Sequence, residues 1–395
     1  MRTVVVAERL RIAFITERFG RKFGGAEAYA FYLIDRLSLS HDVTVIARDF
    51  EHTLPIKEVR INRLKGWPSW IRALHFAYRV RSLIRDDSSA TDHYDVVHTH
   101  AMGPVGDIHV VHVVPVKFRR FFLQSRWLGF LSYLQPRLIA YLWLEAASVR
   151  SAPGRQVVAV SPSVEDQLRT AYPDLKKIEM IPPGAHPGKR DREVRDHIRT
   201  QLAWAPDEVG CLLVARNPLR KGLAAVAQAF ETLPQRYKLA VVGADAEAHN
   251  FIQRHHPALS GRVRLIEPVS EVSPYYQSAD IYLHPTLRDS FGMAPLEAMA
   301  HGLPVILSGQ QYCGFAAFVR HHHDAWVLED PRDCEMMAEA LLALDPQRPL
   351  RGQFIHHSAQ LVEQFSWQRI AERYESLYRR VVQARRQCQS QPRNP

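Results

Sequence analysis

The stretch from Ala279 to Ile306, ADIYLHPTLRDSFGMAPLEAMAHGLPVI, constrains this chain more than any other. It reads as a short apolar strand over Ile281, Tyr282 and Leu283, then a polar loop, then a turn at Phe291-Gly292. A helix follows, with Pro295 near its first turn and Glu297 one turn in, and a second apolar run, Leu303 to Leu307, comes after Gly302. Open α/β proteins build nucleotide sites from strand–loop–helix–strand units of this kind. The free N–H groups at the start of such a helix, from Gly292, Met293 and Ala294, hold an anion such as a diphosphate. Asp289 and Glu297 bracket the turn, eight positions apart. Carboxylates beside an anion site repel phosphate unless they face hydroxyl groups instead. Phosphates on backbone amides and sugar hydroxyls on carboxylates describe a sugar nucleotide.

At 395 residues the chain is long enough for two domains. Its 46% apolar and 23% charged residues are those of a soluble globular protein. Cys211, Cys313, Cys334 and Cys388 have no CxxC pairing or metal-ligand spacing and read as reduced thiols of a cytoplasmic protein. No signal peptide and no uncharged run long enough to span a bilayer is evident. The net charge of +10 favours an anionic partner.

Short β-rich runs alternate with helical stretches, which indicates parallel sheets. Strands are expected at Leu10 to Thr16, Val43 to Ala47, Val59 to Leu64, Tyr94 to His98, Val110 to Val114 and Val157 to Val160. After Ile181-Pro182-Pro183-Gly184 and a charged stretch the pattern repeats, with a strand at Gly210 to Val214, a helix at Leu223 to Thr232 and strands at Lys238 to Val242 and Val263 to Leu265. The expected organisation is therefore two Rossmann-like domains, 1–187 and 188–366. A terminal amphipathic helix over 367–385 completes the first, and 386–395 forms a polar tail.

Arg216 and Lys221 flank the loop after the first strand of the second half, in R-N-P-L-R-K-G. A loop at that strand end lies on the ligand-bearing edge of a doubly wound sheet. Two cations there neutralise a diphosphate and the charge on a departing nucleotide. Alone, such a pair is more often a solvated loop. Beside Asp289 and Glu297 on the matching later loop, it reads as one wall of a site.

With these residues in hand, the chain resembles the retaining glycosyltransferases of the GT-B fold, family 4. Arg216 and Lys221 match that family's R-x4-K pair, and Asp289-x7-Glu297 matches its E-x7-E motif, with Asp in the first position. The likeness runs from Arg11 to about Val381. It narrows to the family's lipopolysaccharide core glucosyltransferases through IPPGAHP at 181–187, RKGL at 220–223, LHPTLRDSFG at 283–292 and QYCGFAAFV at 311–319. The resemblance implies two domains facing across a cleft and a terminal helix crossing back to the first domain. It implies that Glu297 holds ribose hydroxyls and Asp289 donor-sugar hydroxyls. The implied reaction moves a hexose, glucose from UDP-glucose, to an inner-core heptose with retention of configuration, without cofactor or metal. A sugar epimerase or phosphorylase of the same fold, a transferase with another acceptor, and a non-catalytic anionic-surface binder are the alternatives.

Gly24 and Gly25 close the loop after the first strand, as a tight turn or as a close approach to the donor, where the resemblance sets that loop. Asp107, in HTHAMGPVGD, either orients the acceptor hydroxyl and takes its proton or caps the following segment. The resemblance favours the active-site role, with His98 and His100 as rivals. The triplet His321-His322-His323 reads as a solvated loop rather than a metal site. From Lys117 to Arg150 basic residues, among them Lys117, Arg119, Arg120 and Arg126, interleave with aromatics such as Trp127, and no acidic residue occurs from Ile108 to Leu144. That composition suits either an anionic membrane surface or a buried helix pair with its arginines outside. A lipid-anchored oligosaccharide acceptor, which the resemblance implies, makes peripheral attachment to the inner face of a bacterial inner membrane sensible. No nucleic-acid module is evident.

Overall fold

The apolar runs become parallel strands in a computed structural model of the chain, which describes residues 8–86, 94–123, 135–152, 154–175 and 177–390. Two units form, one from residues up to Pro183 together with those from Trp367 onward, the other from Gly184 to Ser366.

The first unit is built on a seven-stranded sheet in the order β5 (Lys57–Arg60), β3 (Asp42–Ala47), β1 (Arg11–Ile15), β6 (Val96–Thr99), β7 (Ile108–Val111), β8 (Gln156–Ala159) and β9 (Ile178–Met180). A short ribbon pairs β2 (Arg18–Gly20) with β4 (Asp49–Glu51). All pairings are parallel, and β1 is buried from Ile12 to Ile15, as a strand covered on both faces must be. The strand order reverses between β1 and β6. A doubly wound sheet opens its ligand crevice at that switch point, outside the carboxyl ends of the strands.

The second unit repeats this plan with six parallel strands: β12 (Val263–Ile266), β11 (Tyr237–Val242), β10 (Val209–Val214), β13 (Ile281–His284), β14 (Val305–Ser308) and β15 (Trp326–Leu328). Counted from β10 this is the order 3-2-1-4-5-6 of dinucleotide-binding folds. Leu213, Leu239, Val241, Leu283 and Ile306 pack with Val226 and Phe230 of the helix Leu223–Thr232 to form its core. The switch point lies between β10 and β13.

The division between the units falls at Pro183–Gly184, four residues before the expected 187/188. Among the four intervening residues, Ala185 is already held by the second unit, its N–H donating to the Phe365 carbonyl at 2.8 Å. The terminal helix runs Trp367–Ser390, so the stretch expected as a tail from 386 continues the helix through Ser390. Ile370, Tyr374, Leu377, Tyr378 and Val381 are buried along one stripe at helical spacing. Tyr374 reaches the helix Gly25–Leu37, its hydroxyl 2.7 Å from that of Tyr29.

Candidate active site

The site of the second unit grows from the two loops at its switch point. After β10, Arg216 opens an exposed loop, and Asn217 Oδ1 accepts from Arg220 N–H at 3.0 Å to tighten the turn. Gly222 then starts the helix Leu223–Thr232 at φ 91°, where any Cβ would collide with the Pro285 carbonyl. This close approach brings the loop after β10 against the loop after β13. Leu287 N–H donates to Arg220 O at 3.0 Å across the seam.

The second loop is fixed from its other side. Ser308, at the end of β14, donates its hydroxyl to Thr286 O at 2.7 Å. Asp289 N–H donates to Tyr312 O at 2.7 Å and Gly314 N–H to Asp289 O at 3.1 Å. The Cys313 thiol donates to Phe291 O at 3.3 Å. The run Gln311 to Val319 therefore acts as a splint on the turn that carries Asp289. Gly292, at φ 99°, caps the helix Met293–Ala300, and a Cβ there would press on Cys313 Sγ at 2.8 Å.

Lys221 forms an ion pair with Asp289 Oδ2, and His284 Nε2 lies 3.1 Å from the same oxygen. Burial alone would raise the Asp289 carboxyl, but the His284 hydrogen bond and the Lys221 charge overcome it and hold it well below the usual range. His284 is pushed down by burial, so its imidazole is neutral. An ionised carboxylate only accepts, so His284 carries its proton on Nε2. Glu297, on the helix, accepts from the Tyr276 hydroxyl at 3.0 Å, and burial raises its pKa to about 7. Neither helix start at this edge, Gly222 or Gly292, is capped by a side chain; at the first, Leu223 N–H donates to the Pro218 carbonyl at 3.0 Å. Two cations, two helix N-termini and two carboxylates thus converge on one sheet edge. His284 and Tyr276 escaped the sequence reading, although His284 lies in the quoted LHPT.

In the first unit, Gly24 and Gly25 stand at the start of the helix Gly25–Leu37, where Glu27 pairs with Arg18 at 2.6 Å. Asp107 is a correction. It precedes β7 and lies at the amino edge of the sheet, opposite the crevice. Because β6 and β7 are parallel, the chain between them must return to that edge before β7 begins. There Asp107 is buried, accepts from Val97 N–H at 2.8 Å and pairs with Arg385 of the terminal helix. Burial outweighs the arginine and raises its pKa. Its role in this position is structural.

His98 and His100 do lie toward the carboxyl edge, but both ring nitrogens of each are taken by protein partners. His98 Nδ1 is 2.6 Å from Tyr378 Oη and its Nε2 3.1 Å from His100 Nε2, while His100 Nδ1 is 3.0 Å from Nε2 of His112, the residue after β7. His112 was missed because fourteen residues separate it from His98 in sequence; adjacent parallel strands bring the two close.

Lys117, Arg119 and Arg120 lie on the helix Val116–Phe121, with Lys117 over the Tyr172 ring at 4.6 Å. Its first N–H groups are capped by the buried carboxylate of Glu145, which accepts from Lys117 N–H at 2.9 Å. Arg126 and Trp127 fall outside the described residues. Val113, Phe122 and Leu123, and Ile139 and Trp143 of the helix Pro136–Val149, are exposed. Among the described residues no helix is long and apolar enough to cross a membrane, and no group of three or more His, Cys, Asp or Glu is disposed to hold a metal ion, His321-His322-His323 included.

Two Rossmann-like units of parallel sheet, the second with this loop chemistry, define a GT-B glycosyltransferase. Residues 23–189 match Glycosyltransferase Family 4 and residues 208–345 match Glycosyl transferases group 1. The chain belongs to the group 1/family 4 glycosyltransferases. A D-inositol 3-phosphate glycosyltransferase of Xylanimonas cellulosilytica is 27% identical over 316 residues, 74% of this chain and 73% of that protein. The lipopolysaccharide glucosyltransferase WaaG of Escherichia coli is 25% identical over 232 residues, 56% of this chain and 62% of its own length. The crystal structure of WaaG, a glycosyltransferase involved in lipopolysaccharide biosynthesis, superposes with a TM-score of 0.78 over 93% of this chain and 99% of its own, at 20% identity. HepE of Anabaena, solved in complex with UDP-glucose, superposes with a TM-score of 0.67 over 93% and 100%, at 16% identity. At these identities the two structures speak for the fold.

Proposed function

We propose that this glycosyltransferase moves glucose from UDP-glucose to an inner-core heptose of lipopolysaccharide, with retention of configuration and without a metal. The observation that carries the reading is the meeting of Lys221 with Asp289 between two uncapped helix N-termini. The diphosphate lies on those N–H groups and on Arg216 and Lys221. An ammonium has three N–H bonds, so Lys221 keeps Asp289 while it binds a phosphate oxygen. Asp289 Oδ1 accepts a hydroxyl of the transferred sugar, and Glu297, when ionised, accepts the ribose hydroxyls.

In the transfer step the acceptor hydroxyl oxygen attacks the anomeric carbon on the face that the diphosphate leaves. The bond from that carbon to the phosphate oxygen breaks, its electron pair stays with the phosphate, and the hydroxyl proton passes to that oxygen. Arg216, Lys221 and the helix N-termini take up the charge, which is the work a metal does in other transferases.

The likeness to the inositol-phosphate enzyme favours a second reading, with a soluble phosphorylated acceptor. The exposed Phe122, Leu123, Ile139 and Trp143 beside Arg119 and Arg120 argue instead for an acceptor anchored in lipid. This face, together with Lys117 and, by sequence, Arg126 and Trp127, would rest on the anionic inner face of a bacterial inner membrane. A thermal-shift screen of nucleotide sugars, followed by UDP release with truncated lipopolysaccharide cores and with inositol phosphate, tests both readings. Stabilisation by no nucleotide sugar overturns the donor assignment, and UDP release with inositol phosphate alone overturns the lipid acceptor.

A further inference from the structure

Four arginines crowd one carboxylate at the amino edge of the second unit's sheet, opposite the donor loops. Asp280 precedes β13 and accepts from Gly210 N–H at 2.8 Å. Arg195 and Arg199, both on the helix Arg192–Gln201, pair with its two oxygens at 2.7 and 3.1 Å. Arg190 donates to the carbonyls of His301 and Gly302, at the end of the helix Met293–Ala300. Arg351, in the first turn of the helix Pro349–Gln364, has nothing comparable. Its Nε is enclosed and has no hydrogen-bond partner among the described residues. The two acids whose charge reaches it are engaged elsewhere: Asp280 as above, and Asp345 with Arg236 at 2.5 Å and the Tyr237 hydroxyl at 2.6 Å. Asp191, beside Arg190 in sequence, caps the helix Arg192–Gln201 through the N–H groups of Glu193 and Val194.

A lysine or histidine so placed would shed its proton. A guanidinium does not, so the charge of Arg351 stays. Burial pushes its pKa down, and Arg190 and Arg195 add to that push against the pull of Asp280 and Asp345. A charged N–H held out of water without an acceptor is costly, and like charges beside it add repulsion. What the cluster lacks is an acceptor that carries negative charge. Its shape admits a small one. The Nε is enclosed, Arg351 and Arg195 are half-buried and Arg190 is exposed, so the cluster opens from that nitrogen to solvent. The helix start points the same way. Arg348, at the N-cap of this 16-residue helix, makes no side-chain capping bond, and the helix adds a positive pole there. Helical side chains lean toward the N-terminus, so the Arg351 guanidinium reaches back to that end.

We propose that Arg351, with Arg190 and Arg195 around it, forms a second anion site for inorganic phosphate or a soluble phosphate monoester at the amino edge of the second unit's sheet. It is separate from the donor site, whose loops leave the carboxyl ends of β10 and β13, and it stands whether or not the chain transfers glucose. One phosphate oxygen takes the enclosed Nε–H of Arg351, and a second takes the adjacent terminal N–H of the same fork. Arg190 and Arg195 keep their carbonyl partners and contribute charge. A phosphate dianion answers the surplus of positive charge better than a carboxylate, which carries one charge. A lipid phosphodiester also carries one charge, and its two ester arms suit an enclosed nitrogen less well.

Thermal melts of the full chain in rising inorganic phosphate, with ionic strength held constant by chloride, test the site. Lys221→Ala removes the donor-site cation, and the midpoint of that variant should still rise with phosphate. Adding Arg351→Met should weaken phosphate binding at least about tenfold, the scale of one charged hydrogen bond. Without phosphate, the Arg351→Met protein should melt above its parent, because methionine keeps the stem's packing and the unpaired charge is gone. An undiminished response to phosphate in Arg351→Met overturns the site, and a lower midpoint in phosphate-free buffer makes Arg351 a strut and overturns it too. If Arg351→Met fails to fold, NMR of the ¹⁵N-arginine-labelled Lys221→Ala protein decides. The Arg351 Nε signal, assigned by its loss in Arg351→Lys, should move as phosphate is added, and a stationary signal overturns the proposal. Co-sedimentation with phosphatidylglycerol vesicles separates the sources: dependence on Arg351 there, with no response to inorganic phosphate, makes the cluster a membrane contact and overturns the soluble ligand.

Discussion

Glu297 should make donor use pH-dependent near neutrality. Burial lifts its pKa from an ordinary 4.5 to about 7, and only the ionised form can accept two ribose hydroxyls. About nine-tenths of the enzyme then has the binding form at pH 8 and about one-tenth at pH 6, so kcat/KM for UDP-glucose should fall roughly tenfold between them. The donor adds no titration of its own here, since its phosphates are diesters. Nor does His301, which stacks on Tyr276 at 5.0 Å and is pushed down by burial, or His284. Stability should run the other way. The folded pKa lies above the unfolded one, so the native state holds the extra proton and stability falls as pH rises from about 4.5 to about 7. At pH 8 the buried charge costs about 3 kcal/mol, by the usual 1.4 kcal/mol per pKa unit. Glu297→Gln keeps an acceptor for Tyr276 and removes the charge. It should raise the unfolding midpoint of the free protein at pH 8, abolish the shift given by UDP-glucose and flatten the pH profile. Tyr276→Phe removes a bond that favours the ionised form and should move the wild-type step to higher pH. Steady-state kinetics from pH 5.5 to 8.5 and thermal melts read both effects. A flat wild-type profile, or the same step in Glu297→Gln, refutes the reasoning.

Lys221→Ala should fold normally and lose about 10²–10³-fold in kcat, the usual effect of removing one group that stabilises developing charge, as read by UDP release; normal turnover would sink the mechanism. Asp107→Ala should lower stability by about 1–3 kcal/mol in denaturant titrations, because the buried Val97 N–H loses its acceptor, while kcat below the melting range stays near wild type. A large kcat loss without a stability change would restore Asp107 to catalysis. Phe122→Glu with Trp143→Glu should abolish co-sedimentation with anionic vesicles and spare activity on a detergent-solubilised acceptor; unchanged sedimentation would remove the membrane face.

The sheets were legible in the sequence because strands buried on both faces read as unbroken apolar runs. Val209–Val214 and Ile281–His284 announce themselves in that way, and the helix Leu223–Thr232 falls where its pattern put it. The meeting of Lys221 with Asp289 was legible for a related reason. Both residues follow strands, and strand ends in such a fold share an edge. Residues whose place depends on register were not legible. Asp107 stands nine residues after His98, yet a parallel crossover carries it to the opposite edge. His112 stands farther off in sequence and ends next to His100. Tyr276 and His284 are buried, and in sequence they look like parts of an apolar helix and strand. Only the fold reveals that their polar ends meet Glu297 and Asp289.

Apart from Arg216, the charged side chains of the second unit's site nearly offset one another. Lys221 is matched by Asp289, His284 is neutral, and Glu297 is about half protonated at pH 7. This balance bears on how a diphosphate is recognised. Had Lys221 stood unpaired, any anion would satisfy it. Paired, it meets an anion that also offers hydroxyls to Asp289 and Glu297, because only such a ligand uses both carboxylates while it draws on the cation. A bare phosphate binds Lys221 but offers no sugar hydroxyl to Asp289, which keeps Lys221 and His284, or to Glu297, which keeps Tyr276. Selectivity for a nucleotide sugar over free phosphate then comes from the carboxylates, and it should weaken below the Glu297 pKa, where one of the two is neutral. Competition of inorganic phosphate against UDP-glucose at pH 6 and pH 8 measures this. Phosphate should compete better at the lower pH, and equal competition at both would locate the selectivity elsewhere.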